Sequence, residues 1–146
     1  PPQAYHIPMV IWAPGLVAPG RVEQVASQID VAPTLLGLLN FSYRSHFFGQ
    51  DILREGREHP RALLANYQTV GYYEDGRVVE LKPNARVQVV DAASGLPAPA
   101  DAASQRLVRE AISYYQVAAQ AYRSGQLRQP AQASAASVVS AAFPTQ

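Results

Sequence analysis

The residues of this chain whose types could do chemistry are few and widely spaced. Its 146 residues include three histidines, His6, His46 and His59, and no cysteine. Without cysteine, this sequence cannot supply a thiolate nucleophile, a thiolate metal site or a disulfide. Because His46 and His59 lack carboxylates at metal-ligand spacing, we interpret both as solvated or locally bonded loop residues.

Asp30 and Thr34 are the other candidates for catalysis, as a carboxylate and a hydroxyl. Asp30 directly precedes the apolar stretch 31–39, and an N-cap role at the start of a helix explains its presence fully. Pro33 fits the first turn of that helix, where its missing N–H costs little, and Thr34 belongs to the same turn. The sequence therefore predicts no catalytic residue and no assured metal ligand in this chain.

The charged and aromatic residues favour structural roles. The formal net charge is +1, Lys82 is the only lysine, and the arginines are scattered. This pattern argues against a nucleic-acid surface and against a polybasic membrane patch. The pairs Tyr72-Tyr73 and Tyr114-Tyr115 place neighbouring rings on different faces, which favours core and rim positions over a platform for sugar stacking.

The first elements that must position these residues are a strand, a helix and a loop. His6 opens the apolar run 7–12, which is bounded by prolines and predicts a strand buried on both faces, as in a parallel sheet. The stretch 31–39 predicts a short buried helix that stops at Asn40. Residues 41–60 show no clear period and predict a connecting loop. Four apolar side chains are expected to anchor it: Phe47, Phe48, Ile52 and Leu53.

A meander of strands is predicted next. The runs 63–73, 77–81 and 86–90 are rich in β-branched and aromatic residues, with turn residues between them. We therefore expect three antiparallel strands.

A long helix follows, and then a tail of low complexity. Asp101 predicts the N-cap and Gly125 the end of a helix over 102–124. Its apolar stripe, which should pack on the meander, consists of Leu107, Val108, Ala111, Ile112, Tyr115, Ala118, Ala119 and Tyr122. Four charged residues lie mostly away from the stripe: Arg106, Arg109, Glu110 and Arg123. The arginines of the helix predict a solvated face. The Ala/Ser/Gln/Pro tail, 129–146, predicts disorder or loose attachment to the body.

Three motifs resemble a known family. They are YHIPMVIWAPG at 5–15, VASQIDVAPTLLGLL at 25–39 and FGQDIL at 48–53. Their order and spacing resemble the last core segment of sulfatases in the alkaline phosphatase superfamily, most closely the lipoteichoic-acid-synthase and phosphoglycerol-transferase branch. NYQTVG at 66–71 also resembles the start of the small C-terminal sheet of that branch.

This resemblance implies a metal-dependent enzyme whose active site is mostly upstream. In the family a threonine, serine or modified cysteine attacks phosphorus or sulfur while bound to a divalent metal such as Mn, Mg, Zn or Ca. The positions of the nucleophile and of the metal ligands precede the segment that this chain matches. In related phosphoethanolamine transferases a histidine before the equivalent strand contacts the substrate's phosphate. His6 matches that position, so the resemblance implies substrate binding by His6, whose imidazolium could donate to an oxyanion or whose neutral ring could hold a second metal. The alternative is a histidine that only caps the strand edge.

The predicted fold class is α/β: the C-terminal part of an alkaline-phosphatase-like (sulfatase) core, followed by a small antiparallel sheet and a long packing helix. We expect residues 1–60 to complete the core, residues 61–128 to form a C-terminal subdomain, and residues 129–146 to form the tail. The partner of residues 1–60 would be the upstream part of the core. A membrane anchor or signal would also lie upstream, because no apolar run here approaches the roughly 20 residues that span a bilayer.

The expected parent is a sulfatase-like or phosphoglycerol-transferase-like enzyme that acts on phosphate or sulfate esters outside the cytoplasm. It would be periplasmic and anchored in the inner membrane, and this chain would be inactive by itself. The alternative is a non-catalytic structural or self-association module of a degenerate sulfatase-like protein. An Asp-His pair and a nucleophile upstream would favour the enzyme.

Overall fold

A four-stranded antiparallel sheet and one long helix form the main body of the protein. The computed structural model describes residues 5–46, 48–54 and 59–128. Its elements are a 3-10 turn at Gln28–Asp30, α1 (Val31–Leu38), β1 (Ala62–Ala65), β2 (Val70–Glu74), β3 (Arg77–Lys82), β4 (Arg86–Asp91), α2 (Ala102–Arg123) and a 3-10 turn at Gln126–Arg128. This mixed α/β arrangement confirms the predicted small sheet and long helix.

The sheet is a meander in which strands pair in chain order, β1-β2-β3-β4. The turn between β2 and β3 is Asp75-Gly76, with φ angles of 48° and 73°. Positive φ at both central residues gives a turn whose twist matches that of the flanking strands, and Asp-Gly is a favoured pair for it.

The prediction of three strands was wrong, because the first run, 63–73, contains two. Asn66 interrupts it: the side-chain Oδ1 accepts hydrogen bonds from the backbone N–H groups of Gln68 and Thr69, at 3.1 and 2.9 Å. The Asn66 N–H donates to the Thr69 carbonyl at 2.9 Å. These bonds fold residues 66–69 into a loop and turn the chain back on itself.

Helix α2 begins and ends where the sequence predicts. The Asp101 side chain accepts a hydrogen bond from the Ser104 N–H at 2.8 Å, which satisfies one free donor of the first turn. At the other end, Gly125 has a φ of 74°, the left-handed conformation that commonly follows a helix.

The core lies between α2 and one face of the sheet. Four side chains form its centre: Tyr72, Val79, Leu107 and Ala111. Partly buried side chains surround them: Leu63, Leu81, Val89, Val108 and Tyr114. Tyr72 and Val79 are direct cross-strand partners, so they project from the same face of the sheet.

The predicted apolar stripe of α2 is correct in its first half only. Leu107 and Ala111 are buried, whereas Tyr122 is exposed. Ala121, which the predicted stripe did not include, is buried in the last turn of the helix.

The strand predicted at residues 7–12 is not present among the described residues. The segment forms no ladder with another strand, and Val10 and Trp12 are 87% and 85% exposed. A strand buried on both faces needs neighbours on both edges, and each strand that the structure describes pairs within the meander. The prediction is therefore wrong for the chain as it stands.

Two predictions fall outside the described residues: the Phe47 anchor and the disorder of the tail, 129–146. The other three loop anchors differ, since Ile52 is buried, Phe48 is half-buried and Leu53 is exposed. None of the helices in the described ranges is both long and apolar enough to cross a membrane.

Candidate functional site

His6 lies on an exposed segment that is neither helix nor strand. The preceding residue, Tyr5, accepts a hydrogen bond at its hydroxyl from the Asn66 side-chain amide at 3.2 Å. The His6 side chain itself is exposed. This position gives a ligand free access to the imidazole, and the substrate-binding role of His6 stays a prediction.

Asp30 is buried, and its carboxylate does not cap α1 as the sequence predicts. It occupies the N-cap position, but its oxygens accept from the N–H groups of Ser27, at 2.9 Å, and Gln50, at 2.8 Å. The third neighbour is Nη1 of Arg61 at 3.5 Å, and both side chains are 1% exposed. The carboxylate therefore joins the start of α1 to two distant parts of the chain.

The Arg61 guanidinium makes its shortest contacts with other groups. Nη2 donates to the Phe48 carbonyl at 2.6 Å, and Nε donates to the Tyr114 hydroxyl at 2.7 Å. The guanidinium carbon lies 5.2 Å from the centre of the Tyr114 ring, within cation–π distance. Asp30 Oδ1 lies 3.5 Å from Nη1, so Asp30 acts mainly as the countercharge of the buried guanidinium. Arg61 thereby connects the 48–52 loop to α2.

Thr34 completes this group, and its hydroxyl both donates and accepts a hydrogen bond. Oγ1 donates to the Asp30 carbonyl at 2.6 Å and accepts from the Ile52 N–H at 3.1 Å. The side chain is fully buried. A hydroxyl so enclosed cannot reach an ester, which agrees with the interpretation that Thr34 is not a nucleophile.

The loop that follows α1 depends on a glycine to reach this group. A Cβ on Gly49 would overlap the carbonyl oxygen of Ile29. Only glycine allows the two backbones to approach so closely, and this approach places the Gln50 N–H against the Asp30 carboxylate.

We call Asp30, Thr34, Arg61 and Tyr114 the Asp30–Arg61 cluster. Asp30, Thr34 and Arg61 are buried, and they bond to one another or to the backbone of Ser27, Phe48, Gln50 and Ile52. What it can do is hold α1, the 48–52 loop, the start of β1 and the middle of α2 in one arrangement. It is a structural centre that joins the motifs at 25–39 and 48–53 to the C-terminal sheet and helix.

A second polar cluster joins the sheet to α2, and its Tyr72 ring lies 5.8 Å from the Tyr114 ring of the first cluster. Tyr72 donates to Glu74 at 2.7 Å, and Nη1 of Arg106 donates to Glu74 at 3.0 Å and to Glu110 at 2.8 Å. Arg106 is therefore not part of the solvated face that the sequence predicts for the arginines of α2. Arg106 also lies 3.5 Å from the exposed carboxylate of Asp75.

The environment of this second cluster shifts the pKa values of Tyr72 and Glu74. Burial, followed by the hydrogen bond to Glu74, raises the pKa of Tyr72 well above its usual range. Burial alone would raise the pKa of Glu74, but the hydrogen bonds from Tyr72 and Arg106 outweigh it and hold that pKa below its usual value. Glu74 is thus kept ionised as a buried acceptor, which suits a structural contact and not a general acid.

The described residues do not suit the divalent metal that the resemblance implies. His46 and His59 are exposed. Within the described ranges, no group of three or more histidine, aspartate or glutamate side chains is arranged to hold a metal ion.

Sequence reasoning missed Arg61 as the partner of Asp30. The two residues are 31 positions apart, and an isolated arginine at the end of a loop carries little local signal of burial. The periodicity of apolar residues does not identify such pairs. The one local sign of burial is that Arg61 directly precedes Ala62, the first residue of β1.

Comparison with known proteins found one match to a family model. Residues 1–41 match the family model described as Sulfatase, which covers just over a quarter of the chain. The match includes His6, Asp30 and Thr34, and it supports the alkaline phosphatase/sulfatase superfamily for this protein. No curated protein and no solved structure matched the chain.

Proposed function

We propose that this chain is the C-terminal part of a metal-dependent enzyme of the sulfatase or phosphoglycerol-transferase kind, which acts on phosphate or sulfate esters outside the cytoplasm. The observation that carries the proposal is the sulfatase match of residues 1–41. The three motifs at 5–15, 25–39 and 48–53 add to it, because they occur in the order of the last core segment of that family.

In this proposal the chain supplies one substrate contact and the support for it. His6 donates a hydrogen bond to a non-bridging oxygen of the ester, and as an imidazolium it adds a charge. The Asp30–Arg61 cluster joins the start of α1 to β1 and α2, and so it supports the segment that carries His6.

The remaining chemistry belongs to residues outside this chain. A divalent metal (Mn, Mg, Zn or Ca) would lower the pKa of the nucleophile and neutralise charge on the ester, with its ligands and the nucleophile upstream. The parent protein would be periplasmic and anchored in the inner membrane by an upstream segment. The 146-residue chain by itself would be inactive.

His6 provides the test of this proposal, made in the full-length protein. His6→Ala should lower turnover of 4-nitrophenyl phosphate or sulfate by roughly one to three orders of magnitude, the loss typical of removing one oxyanion donor. His6→Gln keeps a neutral donor and should retain partial activity across the pH range.

The matched control is His46→Ala, which removes another exposed histidine from a loop. It should leave the rate per folded molecule unchanged. Wild-type activity of His6→Ala at matched folded concentration would remove His6 from the site. If His6 merely caps a strand edge, His6→Ala should instead cost roughly 1 kcal/mol of stability and leave the rate intact.

A second candidate is a non-catalytic module for association, favoured by the exposed apolar side chains of the 7–12 segment. Ile7, Val10 and Trp12 are all exposed in this chain and would be covered by a partner. An Asp-His pair and a Thr, Ser or Cys at the start of an upstream core helix would favour the enzyme. Their absence from the full-length sequence would favour the module.

A further inference from the structure

The loop between β1 and β2, residues 66–69, borders the segment that carries His6. Nδ2 of Asn66 donates a 3.2 Å hydrogen bond to the hydroxyl of Tyr5, which is 61 positions earlier in the chain. Tyr5 is directly followed by His6. The fold therefore bonds the tip of the β1–β2 hairpin to the residue that directly precedes His6.

The shape of this loop does not depend on its aromatic residue. The Asn66 side chain and the backbone N–H and C=O groups of the loop bond to one another. Tyr67 contributes no side-chain group to these bonds, and its side chain is 97% exposed. The loop thus presents a phenol ring to solvent on a backbone that is already fixed.

We infer that Tyr67 is a specificity-determining residue of the proposed ester site, where its ring packs against the alcohol part of the substrate while His6 faces the phosphate or sulfate. This inference rests on the proposed function. A tyrosine ring offers an apolar face together with a hydroxyl that can bond to a polyol. The other loop residues, Asn66, Gln68 and Thr69, are uncharged. Such a neutral surface suits an organic group and not the anion.

The test separates recognition of the organic group from recognition of the anion, in the full-length protein. For whichever 4-nitrophenyl ester is turned over, Tyr67→Ala should raise KM about threefold to tenfold, the range expected for one lost aromatic contact. The inhibition constant of inorganic phosphate or sulfate, which has no organic group, should stay unchanged. Tyr67→Phe keeps the ring and should keep most of the KM of the wild type.

Tyr122→Ala is the matched control, because Tyr122 is also exposed but lies near the C-terminal end of α2. It should alter neither constant. An unchanged KM in Tyr67→Ala, or a parallel rise in the inhibition constant of the inorganic anion, would overturn the inference and leave the proposed function standing. A full-length protein that turns over neither ester with any of the four metals would overturn the proposed function itself, and this inference with it.

Discussion

Arg61 carries a positive charge where only 1% of its side chain is exposed, and its partners explain how the fold tolerates this. A buried charge is costly unless it is paired and hydrogen-bonded. The Phe48 carbonyl and the Tyr114 hydroxyl accept from the guanidinium, and Asp30 balances its charge. Each partner lies on a different element, so the cost of burial can be met only when all of them are assembled.

Replacing Arg61 should therefore destabilise the chain strongly. Arg61→Met keeps much of the volume but leaves the Asp30 carboxylate buried without a countercharge, and the free energy of unfolding should fall by about 3 kcal/mol or more. Tyr114→Phe removes one acceptor and should cost about 1 kcal/mol. Urea denaturation of the purified variants measures both.

Arg21→Met is the matched control, because the Arg21 side chain is 83% exposed beside Glu23. Its effect should stay within about 0.5 kcal/mol. Equal stabilities of Arg61→Met and Arg21→Met would show that the cluster does not hold the elements together.

Single residues show where sequence reasoning succeeds and where it stops. Asp101 was predicted as a cap and is one, since the donor that it satisfies is three residues away. Asp30 shows the same local pattern, yet its carboxylate is used by Gln50 and Arg61, at separations of 20 and 31 residues. Capping is a local property, whereas buried ion pairs depend on tertiary contacts that a single sequence does not display.

The sheet and α2 are joined by more than apolar packing. Glu74 of β2 is 4% exposed and accepts hydrogen bonds from Tyr72 and from Arg106 of α2. These bonds favour the ionised carboxylate, and its pKa is lowered from the usual 4.5.

Acid should weaken this connection. Because Glu74 binds a proton more readily in the unfolded chain than in the folded one, its contribution to stability is complete above about pH 5 and declines as the pH falls through and below 4.5. Glu74→Gln should lower the melting temperature at neutral pH and make it fall less steeply between about pH 5 and pH 3. Asp101, whose pKa is also lowered, chiefly by its hydrogen bond from Arg77, keeps some acid dependence in the variant.

Glu23→Gln removes an exposed carboxylate and is the control for this measurement. The melting temperature of Glu23→Gln should depend on pH in the same way as that of the wild type. If the melting temperatures of Glu74→Gln and the wild type had the same dependence on pH, the ionisation of Glu74 would not contribute to stability.

Element boundaries followed from the sequence where a local signal marked them. The ends of α2 and the turn between the runs 63–73 and 77–81 were found in this way. The break in the run 63–73 was missed, although Asn66 is a turn-forming residue and an 11-residue strand would be unusually long. The 7–12 strand failed for another reason: an apolar run shows that a segment can be buried, but not which strands pair with it.

At the scale of the whole molecule, the two ends of the described chain differ. The C-terminal sheet and helix enclose a core of their own, whereas the segment 7–12 exposes its apolar side chains. Tyr5 and Ser27 hold the ends of the region 5–27 to the β1 strand and its loop, through Asn66 and Leu63. In our account the exposed segment packs into the upstream part of a sulfatase-like core.

The rate of ester hydrolysis by the 146-residue chain and by the full-length protein, measured side by side, tests this account most directly. The full-length protein should hydrolyse 4-nitrophenyl phosphate or sulfate, lose this activity with a chelator and regain it with one of Mn, Mg, Zn or Ca. The 146-residue chain, at equal molar concentration and with the same metals, should not exceed the rate in buffer. Chelator-sensitive turnover by the pure 146-residue chain would contradict the account, because the residues needed for the reaction would then lie within it.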